Sequence, residues 1–187
     1  MNEVLANEHI IRLATFASYL FALWAPKVYA YYKKWLDKLF NHMPELPRIF
    51  GRSIWPTAAF NFSPQLVCHP SARNFNHTHG GHLILPNLKL LIEFPAGAII
   101  LIPSATLIHA NTPVQPGERC ISFTQYCAGG LFRYVDNGFR TEGEFAEEYP
   151  EGFEAMMKEK EDRWRMGVGL WSTLEELLTP AEPVEKK

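Results

Sequence analysis

The chain has few cysteines, no excess of positive charge and no long hydrophobic run, and each absence excludes a class of protein. Its 187 residues include three cysteines, Cys68, Cys120 and Cys127, which are too few and too widely spaced for a disulfide framework or a zinc knuckle. Cys120 and Cys127 lie near apolar, strand-like sequence, so we expect buried free thiols. Free thiols predict a reducing, intracellular location, nuclear or cytoplasmic.

The charge and hydropathy patterns give no sign of a membrane or of a strongly basic nucleic-acid binder. With a net charge of −2, a nucleic-acid substrate would need a local basic groove. Four lysines within residues 27–38 form either such a patch or a solvated helix face. The apolar stretch at 13–25 is shorter than the ~20 residues of a spanning helix. Glu3 and Glu8 precede it where a signal peptide carries positive charge, so we expect a buried helix and no membrane contact.

The periodicity of apolar residues divides the chain into helices, a β core and helices again. Apolar residues at helical spacing predict helices over residues 8–42, interrupted at Pro26. Short apolar runs punctuated by Gly, Pro or Asn predict an antiparallel β core over 58–135. Helices follow over 142–178. The pattern predicts one α+β domain over residues 8–178, because this length and composition suit a single core.

The predicted strands and helix starts can be assigned to particular segments. Capping boxes are predicted at Thr141 with Glu144 and at Ser172 with Glu175. The polar tail at 179–187 is predicted to be disordered. The predicted β core contains the runs AAFNFSPQLV, GHLILP, LKLLIEF, GAIILIP, TLIHANTPV, RCISFTQY and GLFRYV.

Within the β core, the stretch LIHANTPVQPGERC places a histidine and an arginine on either side of a Pro-Gly turn. His109 ends one apolar run and Arg119 begins the next. A neutral imidazole binds divalent metals, and a guanidinium grips a carboxylate in bidentate fashion. The two side chains share a face only if the loop shifts the register, for which Gly117 can supply unusual backbone angles. The pair is a candidate metal-and-anion site, and a structural histidine with its hydrogen bonds satisfied is the alternative for His109.

The block GGHLILPNLKLLIEFPAGAIILIPSATLIHANTPVQPGERCISFTQYCAGGLFRYVDNGFRT resembles the fungal branch of the TET/JBP-type 2-oxoglutarate and Fe(II)-dependent dioxygenases. The resemblance extends to IIRLATFASYLFALWAPKVYAYY, AAFNF and EDRWRMGVGLWSTLEELL, and so covers roughly residues 10–178. It implies a double-stranded β-helix (jelly-roll) core flanked by helices. It also implies Fe(II) and 2-oxoglutarate as cofactors, and oxidation of a methyl group on modified pyrimidines in nucleic acid.

The same resemblance implies roles for individual residues and identifies what is missing. His109 matches the family's second iron histidine, and Arg119 matches its 2-oxoglutarate arginine. The other two ligands form a His-x-Asp motif, because residues i and i+2 of a strand point to one side. Here the chain departs from the family: no Asp or Glu occurs from Gly51 through Ile92. His69 lies just before the expected motif and Ser71 stands at the carboxylate position, so the implied iron site is incomplete and the implied activity impaired.

Three functions therefore stay open. The chain is an inactive dioxygenase-like protein, an active metalloenzyme with a rebuilt site, or a non-catalytic binding or scaffold module that keeps the β fold. A rebuilt site would use His69, or His77 and His79 together with His109. His77 and His79 have i, i+2 spacing, but they stand in a polar turn, where histidines are usually solvated.

The segment FRYVDNGFR contributes a set of candidate substrate-groove residues. Two interpretations are equally compatible with its sequence, a groove for substrate and a salt-bridged structural turn. The residues concerned are Arg133, Asp136, Asn137 and Arg140.

Overall fold

A computed structural model describes residues 2–61, 75–118 and 120–179 of the chain. These residues form α-helices and short antiparallel strands, the α+β class that the sequence predicts. They divide into two compact units. A helical unit contains the chain up to Pro56 and from Cys127 onward, and a β unit contains Thr57–Tyr126. The single domain over residues 8–178 stays a prediction.

The N-terminal part of the helical unit consists of α1 (Asn2–Leu5), α2 (Glu8–Trp24) and α3 (Pro26–His42). The Asn7 side chain accepts hydrogen bonds from two backbone N–H groups of the first turn of α2, which satisfies donors that a helix start leaves unpaired. Pro26 opens α3, where the missing proline N–H costs nothing. The predicted interruption at Pro26 is confirmed.

Helix α2 is buried on one face only, so the prediction of a buried helix is correct for half of its surface. Ala14, Ser18 and Phe21 face the interior. The opposite face leaves Phe16 and Leu23 exposed, at 53% and 64%. Among the described helices none combines the length and the hydropathy needed to cross a bilayer.

The C-terminal part of the helical unit contains five further helices. Of these, α4 covers residues that were predicted as the strand GLFRYV at the end of the β core, and that prediction is wrong. Leu131 and Val135 recur at helical spacing and pack against α3, so burial of a helical stripe decides the conformation. The helices are α4 (Gly129–Asp136), α5 (Glu142–Glu148), α6 (Pro150–Lys158), α7 (Lys160–Gly169) and α8 (Leu174–Leu178).

The capping box predicted at the start of α5 is confirmed. Thr141 Oγ1 accepts the Glu144 backbone N–H at 3.3 Å, and Glu144 Oε2 accepts the Thr141 backbone N–H at 2.8 Å. The Thr141 backbone N–H and hydroxyl both donate to the Glu144 carboxylate, at 2.8 Å each, and so lower the pKa of that carboxyl. The helix therefore begins where the sequence indicates.

The capping box predicted for α8 is wrong by one residue. Thr173 and Glu176 form it, in place of Ser172 and Glu175. Glu176 also accepts a hydrogen bond from Lys27 Nζ at 2.7 Å. This contact joins α8 to the first turn of α3, which the local sequence of α8 does not reveal.

The core of the helical unit lies between α3 and α4. Leu36, Leu39 and Val135 are buried at its centre. Ser18 Oγ accepts the Ile54 backbone N–H at 3.0 Å and so attaches the irregular segment after α3 to α2. The partly buried side chains around the core are Tyr32, Phe40, Met43, Leu46, Ile54, Cys127, Leu131, Tyr134 and Phe139.

The β unit contains two small antiparallel sheets. In the first, β1 (Thr57–Asn61) pairs with β5 (Ser122–Tyr126). In the second, β2 (Leu83–Leu85) lies between β3 (Leu90–Ile92) and β4 (Ala110–Asn111). Most of the predicted runs supply a strand, but the run GAIILIP supplies none, so that strand prediction is wrong. The jelly-roll topology stays a prediction.

The cysteines differ from each other in a way that the sequence does not predict. Cys120 is buried with Phe94 in the core of the β unit and is disulfide-bonded, so the predicted free thiol at Cys120 is wrong. Cys127 is a free cysteine, as predicted, and burial raises the pKa of its thiol to about 12. An apolar environment accommodates a thiol and a disulfide equally well, so the apolar sequence around Cys120 did not predict its redox state. Because Cys120 is disulfide-bonded, cysteine usage no longer favours a reducing compartment.

Removal of a core side chain between α3 and α4 should destabilise the helical unit. Leu39 is 2% exposed, so Leu39→Ala leaves a cavity and should lower the free energy of unfolding by about 2–5 kcal/mol. Urea unfolding followed by far-UV circular dichroism measures the change. The control is Leu23→Ala on the exposed face of α2, which should stay within about 0.5 kcal/mol of the parent. Equal losses in both variants would contradict this core assignment.

Alkylation should separate the two described cysteines. In urea without reductant, iodoacetamide should modify Cys127 and leave Cys120 unmodified, because a disulfide sulfur is not a nucleophile. In the folded protein near pH 8, Cys127 should react slowly, since its raised pKa keeps the thiol protonated. Peptide mass spectrometry reads both sites. Modification of Cys120 before reduction would disprove the disulfide.

Candidate functional site

His109, the predicted iron ligand, lies on the surface of the β unit directly before β4. Its side chain is exposed, and Nδ1 lies 3.0 Å from the Leu107 carbonyl oxygen. Because a carbonyl only accepts hydrogen bonds, Nδ1 is the donor in this contact. The contact is compatible with the alternative of a satisfied structural histidine, and the iron role of His109 stays a prediction.

The two histidines of the His77-Thr78-His79 segment do not form a metal site with His109. His77 Nδ1 lies 3.4 Å from Glu93 Oε2, whereas His79 Nδ1 lies 3.4 Å from Asn76 Nδ2. Within residues 2–61, 75–118 and 120–179, no three His, Cys, Asp or Glu side chains are placed to hold a metal ion. The three-histidine site is therefore wrong. The segment is a turn, and the rule that i and i+2 share a side holds only for strands.

His69 and Arg119, the other candidates for binding iron and 2-oxoglutarate, lie outside the described residues. Gly117 has a φ of +87°, which confirms the unusual backbone predicted for it. The Glu118 carboxylate accepts the backbone N–H groups of Asn76 and Gln115, at 3.0 and 3.1 Å. Among the described residues only His109 belongs to the implied iron set, and one exposed imidazole does not fit an iron site.

The β unit also contains buried polar atoms that the sequence did not single out. His82 Nε2 and Asn111 Nδ2 are both buried without a hydrogen-bond partner among the described residues. Such a group costs about 1–3 kcal/mol. The backbones of His82 and Asn111 lie close together, because Thr112, the residue after Asn111, donates its N–H to the His82 carbonyl at 3.0 Å.

The arginines of the predicted substrate groove form the salt-bridged turn that was its alternative. Arg140 Nε lies 2.6 Å from Glu148 Oε2, and Arg133 Nε lies 3.6 Å from Glu142 Oε2. Both partners belong to α5, so these ion pairs connect α4 to the next helix. A groove role for the two arginines stays a prediction.

The turn between α4 and α5 follows a recurrent helix-ending pattern. The Gly138 N–H donates to the Val135 carbonyl at 3.2 Å, and the Phe139 N–H donates to the Tyr134 carbonyl at 2.8 Å. These two bonds form a Schellman motif. Gly138 and Phe139 both have positive φ, of 68° and 63°, and the Phe139 ring stacks on the His42 ring with centroids 3.7 Å apart.

Asp136 and Asn137, the remaining groove candidates, line a cleft of about 400 Å³ within the helical unit. Burial raises the pKa of the Asp136 carboxyl, while Arg163, Lys38 and Lys34 oppose that rise. Sequence patterns gave no signal for the other walls, because α3, α6 and α7 supply them from distant positions. The lining residues with polar or aromatic side chains are Tyr31, Trp35, Asp136, Asn137, Phe145, Glu159 and Arg163.

No protein-family model, curated protein or solved structure matches this chain. The dioxygenase family therefore stays a prediction based on the quoted sequence blocks. The function of the chain has to be inferred from its own residues.

The turn after α4 provides a test of its structural role. Gly138→Ala should lower the free energy of unfolding by about 1 kcal/mol or more, because an L residue is disfavoured at its positive φ. An added Cβ would also lie 2.9 Å from Arg140 Nη1. Urea unfolding measures the loss. The matched control is Gly129→Ala at the start of α4, where the nearest atom would lie at an ordinary 3.5 Å. A Gly138→Ala protein as stable as this control would refute the assignment.

Proposed function

We propose that this chain is a dioxygenase-like protein in which iron- and 2-oxoglutarate-dependent turnover is impaired. The family reaction that it would have lost is oxidation of a methyl group on modified pyrimidines in nucleic acid. The single observation that carries the proposal is the incomplete ligand set. His109 is the one implied iron ligand among the described residues, and the sequence from Gly51 through Ile92 contains no carboxylate.

The chemistry of the iron site explains why one missing ligand matters. The family holds Fe(II) with two imidazoles and one carboxylate and leaves the other positions open for co-substrate and oxygen. The carboxylate supplies the negative charge of that set, and Ser71 at its expected position cannot replace it because a neutral hydroxyl is a poor metal ligand. Fe(II) and 2-oxoglutarate therefore belong to this proposal only as cofactors of the family reaction.

The lysines that offered a basic patch also favour a protein without strong nucleic-acid binding. Lys27 pairs with Glu176 at 2.7 Å and Lys33 pairs with Asp37 at 2.5 Å. Lys34 and Lys38 lie over the Trp35 ring, 4.6 and 4.1 Å from its centroid. Two of the four lysines are thus paired with carboxylates, which lowers the net positive charge available for phosphate contacts. The nucleic-acid partner rests on the family resemblance alone.

Turnover of 2-oxoglutarate tests the proposal directly. The purified full-length chain is incubated with Fe(II), 2-oxoglutarate, oxygen and an oligonucleotide containing 5-methylcytosine. Because the carboxylate ligand is missing, succinate and oxidised base measured by mass spectrometry should not exceed the level of a His109→Ala variant.

A second histidine variant makes the result specific. His79→Ala removes an imidazole from the same unit without removing an implied iron ligand. Succinate production by the parent and by His79→Ala, but not by His109→Ala, would overturn the proposal in favour of an active site built on His109. Saturable binding of 2-oxoglutarate without succinate, lost in Arg119→Gln, would identify a binding module that keeps the anion site.

A further inference from the structure

The cleft of the helical unit has the size of a small-molecule site. Its volume of about 400 Å³ falls in the ~300–1,000 Å³ range of ligand pockets in proteins. Residues from α3, the end of α4, α5, α6 and α7 line it. None of the residues implied in iron or 2-oxoglutarate binding belongs to it, so the inference does not rest on the iron site, although two predicted groove residues, Asp136 and Asn137, line the cleft.

One part of the lining is aromatic and apolar. The Tyr31 and Trp35 rings meet edge to face, with centroids 5.4 Å apart. Met156 and Met166 add thioether side chains, which adapt to irregular apolar shapes. Trp35 is held in place by the ammonium groups of two lysines over its ring. A flat or bulky apolar group would find a preformed surface here.

The same cleft contains charges of both signs that do not neutralise each other. Asp136, Glu159 and Arg163 all line it, yet none of them forms an ion pair with another described residue. The Arg163 guanidinium donates one hydrogen bond, to the Met156 carbonyl at 3.3 Å. It interacts electrostatically with Asp136 without contacting it, and so do Lys38 and Lys34. A gap between a carboxylate and a guanidinium is a place where a ligand with both charges fits.

The buried side-chain amide of Asn137 also lacks a hydrogen-bond acceptor among the described residues. Asn137 is 5% exposed and lines the cleft. The residue cannot easily move away, because its backbone N–H donates to the Arg133 carbonyl at 2.8 Å. An acceptor oxygen on a ligand would satisfy this amide.

We propose that this cleft binds an amino acid with a large apolar side chain, in its zwitterionic form. The ligand ammonium group would pair with the carboxylates of Asp136 and Glu159. The ligand carboxylate would pair with Arg163 and accept from the Asn137 amide. The apolar side chain would lie against Tyr31 and Trp35. A simple organic cation would leave Arg163 uncompensated, and a simple anion would face two carboxylates, so a ligand with both charges fits best.

Binding of L-phenylalanine to the full-length chain tests the proposal, by isothermal calorimetry and by tryptophan fluorescence. Two analogues each lack one charge: phenethylamine has no carboxylate and 3-phenylpropionate has no ammonium group. We expect saturable binding of L-phenylalanine and at least about tenfold weaker binding of either analogue, because each loses one charge-assisted contact. This comparison needs no mutation, so it does not depend on the folding of a variant.

Variants locate the binding in the cleft. Arg163→Gln and Asp136→Asn should each weaken L-phenylalanine at least about tenfold, and Arg163→Lys should restore part of the loss. The matched control is Arg165→Gln, because Arg165 lies on the same helix near Asp162 and does not line the cleft. The proposal is overturned by no saturable binding at about 10 mM L-phenylalanine, by equal binding of either analogue, or by equal effects of Arg163→Gln and Arg165→Gln.

Discussion

The packing of α4 against α3 is the contact on which the helical unit and its cleft depend. Leu36 and Leu39 bury their side chains against Val135, and this fixes where α4 ends. Asp136 and Asn137 follow Val135 directly, so they reach the cleft beside Tyr31 and Trp35. Burial of apolar side chains between α3 and α4 thus determines where the polar side chains of Asp136 and Asn137 lie.

The two units offer different chemistry. In the β unit the described part of the implied iron site is a single surface imidazole, His109, with its Nδ1 occupied by a neighbouring carbonyl. In the helical unit, uncompensated charges and a buried amide surround an aromatic wall. The iron and 2-oxoglutarate residues expected from the sequence belong to the first unit, whereas the cleft described above belongs to the second.

Local patterns predicted individual elements well where one residue type governs the backbone. Pro26 divides two helices, and the box at Thr141 starts α5, since these effects act within one helical turn. The same reasoning failed for GLFRYV, where a short apolar run next to glycines predicted a strand but a helical stripe is buried on α3. It also failed at Ser172, because STLEE contains two overlapping capping boxes and the sequence does not distinguish Ser172 with Glu175 from Thr173 with Glu176.

The sequence by itself determined the α+β class, the positions of the helices around α3, the positive φ of Gly117, and the absence of any carboxylate from Gly51 through Ile92. These depend on residue identity and on short-range backbone preferences. Only the tertiary structure decided that His77 and His79 contact different partners, that Cys120 is disulfide-bonded, and that Asp136 and Arg163 line one cleft. Each of these depends on which distant segments pack together, and burial of apolar side chains from separate elements controls that choice.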